Sequence, residues 1–381
     1  NHLASIGGKK NPLFEVFFSI LLLICELSEA QYSNYKENQT PSYDEVIKVY
    51  EELANTYKKA SLYTVDKTDA GKPLHVMILA HESVSSLEDA GENSKGKTVI
   101  FINNGIHPGE PCGIDASILF IEDLLKRDKL PQDIVYVIIP VYNVGGALNR
   151  GHFSRANQNG PEAYGFRGNA QNLDLNRDFV KADTKNTFAF YKVFQTFKPH
   201  IFIDTHTSNG ADYQAVITLI STQPDKLNPV LSDYLNEELE PYLYESMKKS
   251  GWEMVPYVNV FGHTPDNGYT AFLDLPRYAL GYTALFNTIG FITETHMWKP
   301  YSQRVESTLA FLRTMHAYAY ENGAQIRKVK AEADSMDTKL SSYDLNWELD
   351  STIKTTINFK GFEAEYPESE ITGKPRLKYN R

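Results

Sequence analysis

Four short apolar runs constrain this chain most: Thr98–Ile102, Ile134–Val141, His200–Asp204 and Gly290–Thr293. None shows the strict polar alternation of a strand with one wet face, so each reads as a strand buried on both sides of a sheet. Such strands need helices above and below them, and the chain supplies helical patterns between the runs. Ser42-Tyr43-Asp44-Glu45 opens an amphipathic helix reaching about Lys59, with a capping-box layout at its start. Ile114, Ile118, Ile121, Leu124 and Leu125 form one stripe on a helix over Cys112–Lys126. Pro229–Lys249 and Gln303–Asn322 read as further helices, Leu74–Ala80 and Tyr213–Ile220 as further strands, and Ser85–Lys97 as a loop. The expected fold is α/β: a mixed, mostly parallel twisted sheet with helices on both faces.

The 381 residues, 42% hydrophobic and 23% charged, suit one large globular domain with extensions. A net charge of -10 excludes a phosphate-backbone partner, which needs a positive field, so no nucleic acid is expected. The first residue is Asn rather than Met, and the reading frame is expected to begin upstream. Lys9-Lys10, the apolar stretch Val16–Cys25 and the small residues of Ser28-Glu29-Ala30 follow the order of a secretory signal cleaved before Gln31. The apolar stretch is too short to span a bilayer, so the mature chain has no expected membrane span and is exported, periplasmic or extracellular. Cleavage leaves one cysteine, Cys112, and hence no internal disulfide. Residues 31–41 read as a linker, 42–323 as the catalytic domain, and 324–381 as a linker entering a truncated β-rich segment. In that last part Trp347–Phe362 alternates like a strand; an extension folded back on the catalytic domain is the other reading.

Chemistry concentrates where the buried runs end. His107-Pro108-Gly109-Glu110 follows the first run through Asn103-Asn104-Gly105 and opens a helix, where open α/β sheets put ligand sites. A hydrolytic zinc site wants three protein ligands and an open position, and two histidines with one glutamate form a known set. His206, just past the third run, supplies the second histidine, whereas His200 lies at the wrong end of that strand and His152, His263 and His316 follow no buried run. Glu294 ends the last run, where a carboxylate needs work or a partner, and it reads as the base that takes a proton from water. The competing view makes His296 the third ligand and Glu294 structural. In Asn172-Leu173-Asp174-Leu175-Asn176-Arg177, read as a short strand, Asn176 and Arg177 suit a carboxylate.

Together, H-P-G-E, then N-R, then a histidine after one apolar strand and a glutamate after another resemble the zinc carboxypeptidases, the carboxypeptidase A-like metallopeptidases. The likeness runs over roughly Tyr43 to Asn322. It implies a zinc carboxypeptidase-like fold of the phosphorylase/hydrolase-like kind and one Zn2+ per chain on His107, Glu110 and His206. It further implies Glu294 as general base, Asn176 and Arg177 as receptors of the substrate's terminal carboxylate, and Asp174 as the residue orienting His107. The family's oxyanion-stabilising arginine is Arg155 or Arg167, with Arg155 slightly favoured by spacing. Its mobile tyrosine stays open among Tyr269, Tyr278 and Tyr282. Arg277, beside Tyr278, falls near the expected side-chain pocket, where it would select acidic terminal residues unless it pairs with a nearby aspartate. No room for a folded pro-domain separates signal and catalytic strands, which implies an enzyme exported active. The expected substrate is a peptide or small amide. A zinc amidohydrolase acting on acylated amino acids or peptidoglycan stem peptides is the second enzymatic reading, and a non-catalytic peptide-binding module the third.

Overall fold

Each buried run becomes a strand whose alternate side chains enter two different cores. In the computed structural model, which describes residues 32–208, 210–344 and 346–381, β3 (Thr98–Asn103) and β4 (Ile134–Ile139) are buried at every position. Ile100, Ile102, Tyr136, Ile138, Ile201 and Ile203 face one core, while Val99, Phe101, Val135, Val137 and Phe202 face the other. The first core is closed by helices Tyr43–Thr56, Cys112–Lys126 and Tyr301–Asp337. Phe190 and Phe194, from helix Lys185–Phe197, and Leu280, from the short helix Ala279–Ala284, close the second. This two-sided burial is the physical reason that uninterrupted apolar runs and flanking helices occur together.

The remaining strands are β1 (Ala60–Lys67), β2 (Pro73–Leu79), β5 (Ile201–Ser208), β6 (Ile217–Ser221) and β7 (Val255–Pro256). A small β8–β9 ladder (Asn259–Val260, Tyr269–Thr270) follows, and then β10 (Ile289–His296). Among the described residues an eight-stranded sheet runs β1-β2-β4-β3-β5-β10-β6-β7. Its centre, β4-β3-β5-β10, is parallel, and β2 and β6 flank it antiparallel. The expected α/β architecture, a mixed and mostly parallel sheet between helices, is therefore what the chain adopts. The C-terminal ends of β3, β5 and β10 meet at one edge, with Glu294 directly across from His206 in the ladder.

Two glycines permit the close approach there. Gly105, which turns the chain after β3, holds φ at +65°, a left-handed value that other residues adopt only with strain. Gly113, in the first turn of helix Cys112–Lys126, lies so near β5 that a Cβ would stand 1.9 Å from Thr205 Oγ1. Gly113→Ala is therefore expected to destabilise the protein by about 1–3 kcal/mol or more, because neither helix nor buried strand can yield freely. Urea unfolding checks this, and an unchanged midpoint would refute it.

Several local expectations fail for identifiable reasons. Asn172–Arg177 is not a strand: Asn172 has φ +59°, and Asp174 accepts the Asn176 N–H at 2.9 Å, producing a single turn over Leu175–Arg177. Trp347–Phe362 alternates but forms no strand, because its backbone groups meet neighbours only at isolated points such as Gln214 N donating to Lys360 O. Helix Tyr301–Asp337 continues through position 323, where the composition shift suggested a boundary; Ile326, Val329 and Ala333 keep a buried stripe going. Residues 338–344 and 346–381 then fold back on the body of the sheet and helices, with β11 (Glu363–Glu365) and β12 (Lys378–Asn380) as their only ladder among the described residues. Strand β1, helix Lys185–Phe197 and helix Leu87–Asn93 escaped the sequence reading. The secretory-signal residues 1–30 lie outside the described residues. Among the described residues, no helix is long and apolar enough to cross a membrane.

Candidate active site

Helix Cys112–Lys126 begins just past Glu110, and the tight turn after β3 brings His107 and Glu110 to the sheet edge where β5 delivers His206. One donor atom from each of His107, Glu110 and His206 lies within 4.8 Å of the others. Glu110 Oε1 is 3.4 Å from His107 Nδ1, and Glu110 Oε2 is 3.0 Å from His206 Nδ1. All three side chains are 3% exposed, too buried for a chance surface cluster.

The far ring nitrogens are both held. His107 Nε2 lies 2.9 Å from Asp174 Oδ1, and His206 Nε2 lies 3.0 Å from Asp204 Oδ2, which in turn sits beside the Asn103 amide donating to Asp204 Oδ1. A carboxylate on each Nε2 fixes the tautomer that leaves Nδ1 with a lone pair, the arrangement that suits imidazole for a metal. Asp204 was missed in the sequence, yet the signal was there: it lies two residues before His206 on a strand, hence on the same face. Asp204→Asn is expected to weaken zinc affinity about 10–100-fold. Competition with a chromogenic chelator measures this, and an unchanged affinity would exclude a role in holding His206.

Charge in the site is uneven. Burial pushes the Glu110 carboxyl up, but Arg155 and His107 outweigh it and hold it well below the usual carboxylate range. Burial pulls His206 down, yet Asp204 and Glu110 carry it well above the ordinary imidazole value. Asp174 is held low against its burial by His107, Arg167 and Arg177. Glu294, partly buried on β10, is pushed up to about 7 by burial, with His206 opposing and Glu110 reinforcing the rise.

The two candidate arginines differ sharply. Arg155 is spent on the protein: it donates to Glu110 Oε1 at 2.7 Å, to Gln158 Oε1 at 2.7 Å and to Thr207 O at 2.9 Å. Arg167 has a side chain 45% exposed, ties to Asp174 Oδ2, and places Nη1 3.3 Å from His107 Nδ1 and 3.6 Å from Glu110 Oε1. A cationic group is thus drawn to the point that the three donors share, and the residues fit a divalent cation on that ground.

Around the rim, Asn176 is buried with its amide oxygen accepting the Ala279 N–H at 3.3 Å. Arg177 is 41% exposed and stacks 4.5 Å over the Tyr278 ring. Arg277 places its guanidinium 4.9 Å from the centre of the same ring and donates to the Tyr278 hydroxyl at 3.0 Å. Arg277 is exposed and forms no ion pair among the described residues; the buried aspartate near it, Asp274, is held by Lys226 at 2.6 Å. The expected ion pair for Arg277 is therefore not formed among the described residues. His296 is not part of the His–Glu–His cluster, since its Nε2 faces Asp212 Oδ1 at 3.0 Å. Tyr282 belongs to a core of Phe179, Phe190 and Tyr191 rings. Tyr213 and Tyr257, which the sequence did not single out, have phenols raised by burial and by the nearby Glu294 charge.

Residues 46–259 match a family model described as zinc carboxypeptidase. Carboxypeptidase 2 of Trichophyton equinum is 28% identical over 155 residues, covering 40% of this chain and 24% of that protein. Carboxypeptidase 2 of Trichophyton rubrum is 28% identical over 144 residues, 37% of this chain and 23% of its own length. The chain thus spans about a quarter of the curated relatives it matches. A metallo-carboxypeptidase structure from Burkholderia cenocepacia superposes with TM-score 0.54 at 14% identity, covering 74% of this chain and 70% of that one. Carboxypeptidase A from Helicoverpa armigera gives 0.52 at 13% identity, covering 86% and 82%. These structures share the fold, and the family match, which takes in more than half of the sequence and both histidines of the cluster, identifies the chain as a member of the zinc carboxypeptidase family.

Proposed function

We propose that this chain is a metallocarboxypeptidase that removes the C-terminal residue of a peptide, with one zinc ion on His107, Glu110 and His206. The observation that carries this reading is the meeting of three strand ends: a buried His–Glu–His cluster with Glu294 across the ladder from His206. Zinc, when bound, supplies Lewis-acid polarisation and acidifies water.

The protein's own groups do the rest. Glu294 accepts a proton from the attacking water and returns it to the leaving amine; a carboxylate raised to about 7 is matched to both steps near neutrality. Because the base must be ionised, kcat/KM falls as pH drops through its pKa, and a nearby cation moves that limb below 7. Arg177 and the unused amide nitrogen of Asn176 receive the terminal carboxylate. Arg167, exposed and next to the cluster, is the better candidate for stabilising the developing oxyanion, whereas Arg155 holds Glu110 in place. Residues 1–30 would direct export, giving a mature enzyme that starts at Gln31.

Mass analysis of a mixed peptide library incubated with the zinc-loaded protein tests the reading. Products one residue shorter at the C-terminus are expected, and internal cleavage or none would overturn it.

A further inference from the structure

The C-terminal segment lies well beyond the family match at 46–259, yet it packs against the edge of the sheet where His206 and Glu294 stand. Several of its contacts fall on two short stretches: the loop leaving β5 after His206 and the turn leaving β10 after Glu294. Arg381 Nε donates to Asp212 Oδ2 at 2.6 Å, and its guanidinium sits 5.2 Å over the Trp298 ring. Tyr379 lies 6.1 Å from the same indole, and the Phe362 ring lies 5.2 Å from the Lys299 ammonium. Phe359 meets the Tyr213 ring at 5.8 Å, and Gln214 N donates to Lys360 O at 2.9 Å.

Asp212 passes this hold to β10. Its carboxylate is buried, with Oδ2 on Arg381 and Oδ1 3.0 Å from His296 Nε2. His296 Nδ1 accepts the Trp298 N–H at 3.4 Å, which assigns the ring proton to Nε2 and makes the imidazole a donor to Asp212. A buried carboxylate is tolerable only when paired, so Asp212 ties the guanidinium and the imidazole together. His296 is two residues past Glu294 and therefore on the same face of β10. The Tyr213 ring packs 4.3 Å from that imidazole, and its hydroxyl lies 3.2 Å from Oγ of Ser208, the residue paired with His296 in the ladder.

Glu294 needs such support. No described side chain hydrogen-bonds its carboxylate, so the base is aimed by the strand end that carries it and by the groups packed beside it. The Tyr213 phenol is one of those groups, near enough to feel the Glu294 charge. Misplacing a reacting group by about 1 Å costs on the order of 100-fold in rate, so whatever fixes positions 296 and 213 bears on a base at 294.

We infer that residues 359–381 form a clasp that aims the base: Arg381, through the Asp212–His296 pair, and Phe359, through Tyr213, are positioning residues for Glu294. The inference rests on the carboxypeptidase reading, in which Glu294 takes the proton from water.

The test follows Arg381→Ala and Phe359→Ala in the zinc-loaded full chain. Each should lower kcat about 10-fold and the double variant about 100-fold. KM and zinc affinity should stay within about twofold, because neither residue touches the His–Glu–His cluster or the proposed carboxylate receptor. Arg381→Lys, which keeps a cation beside Asp212, should restore most of the loss. Asp350→Asn, an exposed acid of the same segment bonded to Thr352, should change nothing. Unchanged kcat in the double variant, a parallel fall in zinc affinity, or no rescue by lysine overturns the proposal. Hydrogen exchange of the peptide spanning residues 292–298, read by mass spectrometry, separates the clasp from the enzymatic reading. Faster exchange there in Arg381→Ala, in a protein whose unsubstituted form hydrolyses no peptide, would keep the clasp and refute the carboxypeptidase assignment. Unchanged exchange would refute the clasp.

Discussion

Glu294→Ala will keep its zinc and lose roughly three or more orders of magnitude in kcat, about 4 kcal/mol of transition-state stabilisation. Glu294 makes no side-chain hydrogen bond to His107, Glu110 or His206, so its removal leaves the cluster's mutual contacts and both Nε2 partners intact. What disappears is the acceptor for the proton of water. Metal content by atomic absorption and turnover of a C-terminally labelled peptide should therefore separate. Glu294→Gln should behave similarly, because an amide cannot take up the proton. Surviving activity in either variant would end the mechanism proposed for this residue.

His206→Ala will lose both the metal and the activity. The imidazole is the link between Glu110, 3.0 Å from Nδ1, and Asp204, 3.0 Å from Nε2, so its removal leaves two buried carboxylates facing an empty space. One of them must then take up a proton or draw in water, since like charges in a buried site cannot both stay ionised cheaply. Zinc affinity should fall by far more than the 10–100-fold expected for Asp204→Asn, because a ligand and not its support is gone. Retention of stoichiometric zinc with only a modest rate change would show that His206 is not a ligand.

Much of this site was readable because each of its parts follows a recognisable apolar run. His107 and Glu110 follow β3, His206 lies within the end of β5, and Glu294 within the end of β10. Burial on both faces gives a strand an unmistakable composition, and parallel order then fixes which ends converge. Asp204 could have been read from period-two alternation alone. The choice between Arg155 and Arg167 could not, because it depends on which guanidinium the loop has already committed to Glu110, Gln158 and Thr207. The turn at Asn172–Arg177 was misread because alternation of polar residues with leucines ignores the Asp174 side chain's bond to its own backbone. The C-terminal segment was the least legible part: its pairings, such as Gln214 with Lys360 or Asp212 with Arg381, span well over a hundred residues and leave no local pattern.

The ladder position of Glu294 has a consequence for how activity appears as the protein folds. Sliding β10 past β5 by a single step would present Thr293 or Thr295 where the carboxylate belongs and turn Glu294 toward the opposite core. A misaligned sheet could hold most of its hydrogen bonds and still catalyse nothing. Regain of peptidase turnover after dilution from urea would thus count correctly zipped molecules, even while circular dichroism already reported native-like secondary structure.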